Sequence, residues 1–399
     1  MGWAAASVRS NVFRVLAIIL ALAIPAANVL GQTMAPRNSP ESRHRLPLTK
    51  FYDTPVPLPG ASPGTLIRSE RTHDYYLSPE INTYRILYHS RTAAGEDVAV
   101  SGVVLTPQAP PPPKGWPAIA WAHPLEGVAR TCAPSLAQNL YEGSFLSMYV
   151  NLGYAVVATD YAGLGTNARN ASIDIASNAA DVIYSIPAAR AAVPQLGTKW
   201  LAMGALEGAP VALGVAERQS NIRDSSFLGS IGIGAVADLP HFYEQLAQGS
   251  SQRMLVFLAY GIKTLFPQFR VEDMLNDTGM ALYRRIETSC SLGAENSSPS
   301  ILRPDWQRNK FVREFFRRNE LGQKTASAPL LVIASEGDPL VPLPLTTSTV
   351  SQLCKRGNHV QFYRYQSPNP KAVIGDSVRD QIEWIQGRFA GRTAPSNCP

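Results

Sequence analysis

Apolar positions fall into short, unbroken runs along most of this chain. Pro117-Ala-Ile-Ala-Trp-Ala-His123 is the first, and Gly153–Asp160 the next. Trp200–Met203, Leu228–Val236, Leu330–Ala334 and Val360–Tyr365 follow. Continuous apolar runs of this length predict strands buried on both faces, as in a parallel sheet. Helical patterns lie between them at Ile173–Ala192, Gly208–Gln219, Leu345–Lys355 and Asp376–Phe389. Strand alternating with helix predicts an α/β fold, a mostly parallel sheet with helices on both faces and right-handed crossovers. Ahead of it, Tyr84–Ser90 and Val98–Leu105 read as a β-hairpin turning over Thr92–Asp97. One stretch breaks the alternation. Residues 240–325 are amphipathic and helical, and they separate the fourth apolar run from the fifth. This predicts a helical cap insertion over the C-terminal ends of the strands, where ligands bind in such sheets.

The start of the chain has a different pattern. Arg9 and Arg14 precede ten uninterrupted apolar residues, Val15–Ile24, closed by Pro25. That is too short for a bilayer span of roughly 20 residues. Residues 1–31 therefore read as a signal peptide with cleavage near Gly31, and no later run reaches spanning length. Residues 32–50 read as a flexible lead, and 51–398 as the folded domain. The Pro/Gly-rich stretch 51–65 is expected to wrap the surface, and Pro107–Pro117 to form a stiff connector.

Composition narrows the choices. Hydrophobic residues are 45% of the chain, which excludes disorder for the bulk of it. Net charge is +6 with no Lys/Arg run, so nothing points to nucleic acid. All four cysteines, Cys132, Cys290, Cys354 and Cys398, follow the export signal. An even number in an exported chain predicts two disulfides, with three connectivities open. Their scatter has no zinc spacing, and neither a metal nor another cofactor is expected.

The third apolar run leads into Met203-Gly204-Ala205-Leu206-Glu207-Gly208 and then a helix. This is the strand–turn–helix setting of a nucleophile elbow, with glycines at the G-x-S-x-G spacing. The central residue is Leu206, which has no nucleophilic atom.

Several segments, in order, resemble the secretory lipase family. They are Phe51-Tyr52 with Pro63-Gly64-Thr65, Arg85–Tyr88 with Val100–Leu105, Ala120–His123 with Cys132–Ser135, and Gly153–Tyr161 with Gly163 and Gly165. Asp338-Pro-Leu-Val-Pro342 resembles the family's acid loop, and Trp384 with Arg388–Gly391 its last helix. The resemblance spans about Phe51 to Cys398. It implies an exported α/β-hydrolase of the triacylglycerol lipase group, secreted or periplasmic. It also implies the bridges Cys132–Cys290 and Cys354–Cys398.

The same resemblance exposes departures from the family's Ser–His–Asp site. The nucleophile position falls on Leu206, and the acid position on Asp338. The histidine, which the family carries in a Tyr-Pro-Gly-x-x-His context, falls on Pro370 within Tyr365-Gln-Ser-Pro-Asn-Pro370. No histidine follows His359. One oxyanion donor falls on Pro124, which has no backbone N–H, and the other is the N–H of Glu207. His123 reads as a buried histidine holding a loop rather than a relocated base. Asp338 reads as bonding its own turn, and Asp160-Tyr161 as a structural turn. Ser335 and Glu336 sit on a loop without an elbow.

Three functions remain. The leading one is a catalytically inactive lipase relative that keeps a pocket for a lipid or acyl ligand. The second is an active lipase or esterase using other groups. The third is a scaffold with no pocket.

Overall fold

The computed structural model describes residues 44–236, 238–292, 300–369 and 371–398. The signal peptide expected at residues 1–31 and the Pro370 position lie outside the described residues.

Nine strands make one sheet: β1 (Leu66–Thr72), β2 (Ile81–Arg91), β3 (Asp97–Pro107), β4 (Trp116–Ala122), β5 (Ala155–Thr159), β6 (Leu196–Ala205), β7 (Phe227–Ile233), β8 (Leu330–Ser335) and β9 (Val360–Tyr365). Their spatial order is β1-β2-β3-β5-β4-β6-β7-β8-β9. The first three run as an antiparallel meander that joins β5 antiparallel. From β5 through β9 every pairing is parallel. All residues of β5 and β8 are buried, as their apolar sequences, broken only by the terminal Thr159 and Ser335, require.

Successive side chains of β4 point to opposite faces. Ala118 and Ala120 join a core covered by α2 (Ile175–Ala192), α3 (Gly208–Ile222) and α8 (Leu343–Lys355). Ile119 and Trp121 join the core beneath α1 (Gly143–Asn151), α9 (Ala372–Asp376) and α10 (Val378–Phe389). Small residues on one side let α2 and α3 approach the sheet closely; larger ones fill the other side.

Between β7 and β8 the chain forms α4 (Leu239–Gln248), α5 (Leu255–Leu265), α6 (Asp277–Ile286) and α7 (Lys310–Arg318). These helices have an apolar core of their own, including Leu258 and Ile262 of α5, Ile286 of α6 and Phe315 of α7. That core also takes in Val128, Val236 and Val341, which belong to loops following β4, β7 and β8.

Three local features differ from the expectation. Strand β1 was not visible as a run because its sequence, LIRSERT, is charged and only its last residue is buried; its partner β2 supplies the pairing. Helix α1 is short and lacks a capping side chain. The lead expected to be flexible to residue 50 is already held at residue 44. Gln138 N donates to His44 O at 2.9 Å and Leu46 N to Leu136 O at 2.7 Å. Phe51 and Tyr52 are buried, and Tyr52 Oη lies 2.9 Å from Ser135 Oγ.

Two disulfides are present, Cys132–Cys290 and Cys354–Cys398, the pairing implied by the resemblance. The first ties the segment after β4 to the stretch that follows α6 within the helical insertion. The second ties the C-terminal tail to α8. Each closes a long loop and is expected to contribute about 2–5 kcal/mol. Peptide mapping without reductant should recover these two pairs and no free thiol; any other pairing contradicts the architecture.

Candidate functional site

Strand β6 passes into α3 through a tight turn with Leu206 at its vertex. Leu206 has φ +54°, a left-handed conformation that costs a leucine of order 1 kcal/mol. The two flanking glycines explain why the chain tolerates it. A Cβ on Gly204 would lie 2.0 Å from Gly208 O, and one on Gly208 would lie 2.0 Å from Ala122 O. Helix α3 therefore leaves the sheet in close contact with β4, and the turn has no room to relax. Leu206 N donates to Ile233 O at 2.9 Å, which fixes the vertex from the β7 side.

Two other positions singled out in the sequence, Glu207 and Pro124, lie at this turn. Leu206, Glu207 and Pro124 all line one cavity of about 210 Å³. Its remaining wall is almost entirely apolar and includes Leu239, Phe242 and Leu246 of α4, and Leu340 and Val341 of the loop after β8. The helical insertion thus roofs the elbow.

Asp338 lies on that same β8 loop and is buried. Its Oδ1 accepts the N–H groups of Leu340 at 2.8 Å and Val341 at 2.9 Å. Burial raises its pKa, and these two donors oppose the rise. The carboxylate holds its own turn, and one oxygen is left without a protein partner among the described residues.

His123 follows β4 and is buried. Its Nδ1 faces Pro124 O at 2.5 Å and its Nε2 faces Asp160 O at 3.1 Å. The ring stacks on Tyr161 with centroids 4.2 Å apart. Burial pushes its pKa down to about 4. Both nitrogens are engaged by carbonyl oxygens, so neither serves as a base toward the elbow. His44, His73, His241 and His359 are exposed, and His89 pairs with Asp97 on the meander. No histidine lines the cavity among the described residues.

Asp160 is buried and accepts Ser101 Oγ at 2.6 Å, Ser135 N at 2.8 Å and Ser135 Oγ at 2.5 Å. Burial pushes it up to about 6 against these donors. Tyr161 adopts φ +64° and donates through its hydroxyl to His123 O at 3.2 Å. This network braces the loop that carries Pro124.

Sequence reasoning named Glu207 for its backbone N–H and overlooked its side chain. Oε1 accepts the N–H of Ile173 at 3.0 Å. Ile173 has φ +68°, a rare conformation for a β-branched residue. The carboxyl is enclosed by the apolar wall, and burial pushes it up to about 7. The one available hint was an ionisable residue in the second half of an elbow motif. Ile173's conformation had no sequence signature.

The site therefore supplies a strained elbow, a roofed apolar cavity, a carboxylate on the loop after β8 and one desolvated carboxyl in the cavity wall. Among the described residues no group of three or more His, Cys, Asp or Glu is placed to hold a metal ion. A sheet of this order, parallel from β5 through β9, with helices on both faces and a tight strand–turn–helix elbow after β6, defines an α/β-hydrolase fold. The sequence profile of the secretory lipase family matches residues 135–397, and the chain belongs to that family.

No curated protein matches the sequence. Among solved structures, the closed state of lipase A from Candida antarctica superposes with TM-score 0.75 at 17% identity, covering 88% of this chain and 87% of that one. The rice cell wall degrading esterase LipA from Xanthomonas oryzae gives TM-score 0.69 at 18% identity, covering 84% and 100%. A putative hydrolase from Legionella pneumophila gives 0.67 at 16%, covering 82% and 99%. These likenesses establish the fold. Family membership and two disulfides indicate an extracellular protein. No helix of the described residues is long and apolar enough to cross a membrane.

Proposed function

We propose that this chain is an exported, catalytically inactive member of its family that binds an apolar ligand, a lipid or acyl chain, in the cavity at the elbow. Secretion or periplasmic residence follows from the signal peptide read at residues 1–31. The observation that carries the reading is Leu206 at the vertex of the elbow, on the floor of the cavity. Acyl transfer through this site needs a nucleophile, a base to activate it and donors for the oxyanion. Leucine supplies no nucleophile, Pro370 occupies the position of the family's base, and Pro124 removes one donor. Loss of the nucleophile alone costs about a factor of a million in related enzymes. Asp338 keeps a structural duty in its own loop. The apolar cavity of about 210 Å³ favours a binding role over a pocketless scaffold.

The test uses purified mature protein, a fluorophosphonate serine-hydrolase probe and a panel of short- and long-chain p-nitrophenyl esters. The expected result is no labelling and hydrolysis no faster than a denatured control. Turnover that disappears on removing one specific residue overturns the reading in favour of an active esterase.

A further inference from the structure

The cavity wall contains two polar groups whose capacity the protein leaves unused. Glu207 commits one oxygen to Ile173 N–H; the other has no protein partner among the described residues. The hydroxyl of Tyr243, on α4, also lines the cavity and has no protein partner among the described residues. Both residues line the same cavity, and burial first, with the Glu207 charge second, raises the tyrosine pKa. None of the described residues lining the cavity is basic.

Bracing Ile173 needs a single acceptor, and a neutral glutamine would provide it. The free oxygen opens into the cavity from an otherwise apolar wall, so a guest that brings donors and positive charge gains most there. A fatty acid brings a second carboxylate into an apolar enclosure and is repelled. An ester brings only acceptors, and an alcohol brings one donor. An alkylammonium brings three donors and the opposite charge. We infer that the cavity is a site for an aliphatic amine, its ammonium on Glu207 and the Tyr243 hydroxyl, its alkyl chain along Leu206, Phe242 and Leu246. This rests on the reading above that the cavity binds an apolar ligand, and it assigns that ligand an amine head group in place of an acyl one. The volume, below the roughly 300–1,000 Å³ of drug-sized sites, suits a short chain.

Isothermal titration at pH 8 with octylamine, octanol and octanoate, each below its aggregation threshold, tests the inference. The expected order is amine, then alcohol, then carboxylate. The amine should exceed octanoate by about 10–100-fold, the range of a charge-assisted hydrogen bond. Glu207→Gln should keep octanol binding and bring amine and alcohol within about threefold, as a neutral partner adds little. Leu206→Trp, which fills the floor, should abolish amine binding. Equal affinity of wild type for amine and octanoate overturns the inference and leaves an apolar-ligand site standing. Binding of none of the three overturns the ligand-binding reading itself. Amine binding that survives Leu206→Trp locates the amine elsewhere and also overturns the inference. If Glu207→Gln does not fold, the wild-type ranking and the Leu206→Trp result decide.

Discussion

Leu206→Ser alone is expected to leave ester hydrolysis at background. The new hydroxyl would stand at the vertex of the elbow, but the cavity has no imidazole among the described residues to take its proton. Adding Pro370→His supplies a base where the family resemblance puts one. Asp338 has an oxygen free of protein partners to orient it, the other being held by Leu340 and Val341 N–H. Activity of this double variant should still be weak, because Pro124 leaves the oxyanion one donor short. Pro124→Gly as the third change should then raise kcat/KM by about a hundredfold or more, the usual worth of one oxyanion donor. The three changes should be strongly non-additive, since the groups act as a unit. Hydrolysis of p-nitrophenyl butyrate across the series, with folding checked by circular dichroism, measures it. A flat series in folded variants would mean that the cavity no longer admits an ester in a reactive pose.

Thermal stability is expected to be higher at pH 5 than at pH 8. Burial pushes Asp160 up to about 6, and Asp181, Glu207 and Glu217 up to about 7. Each of these carboxyls holds its proton more tightly folded than unfolded. Between about pH 4 and its folded value the native state binds more protons, so stability falls as pH rises through that window and levels off above about 7. His123 works in the opposite sense. Its folded value near 4 lies below the unfolded one, so it gains stability from pH 4 to about 6.5. Four carboxyls against one imidazole leave the balance with the carboxyls. The expected fall is several degrees in Tm, with most of it between about pH 5 and 7. Below about pH 4 the trend should reverse. Asp74, bonded by Thr72 and Arg85, has a lowered pKa and stabilises only while ionised; so does Asp224, where Ser226 and Trp200 outweigh burial. Differential scanning fluorimetry across pH 3–9 reads both limbs. A Tm that is flat or rises from pH 5 to pH 8 contradicts the assignment of these carboxyls as enclosed.

The sheet was legible because strands buried on both faces must be largely apolar, and β4, β5 and β8 are, with Thr159 and Ser335 only at their ends. The elbow was legible because two close backbone approaches demand glycine at 204 and 208. Charge hid β1, whose strand character comes from its neighbour. The cavity was hidden for another reason. Its wall combines α4, the turn after β6 and the loops after β4 and β8, and no sequence pattern encodes their distance from one another. The Glu207 carboxyl was missed for the same reason. Its partner, Ile173, is 34 positions away, and the left-handed backbone that exposes Ile173's N–H is imposed by packing.

The two disulfide loops follow one another along the chain. One runs from Cys132 to Cys290 and closes before Cys354 begins the other, which ends at Cys398. They neither nest nor cross along the chain. Opening either ring leaves the unfolded-chain restraint of its neighbour unchanged, and their contributions add. A reductant acting on the denatured chain therefore meets two separate hoops on one string, and either can be cut without slackening the other.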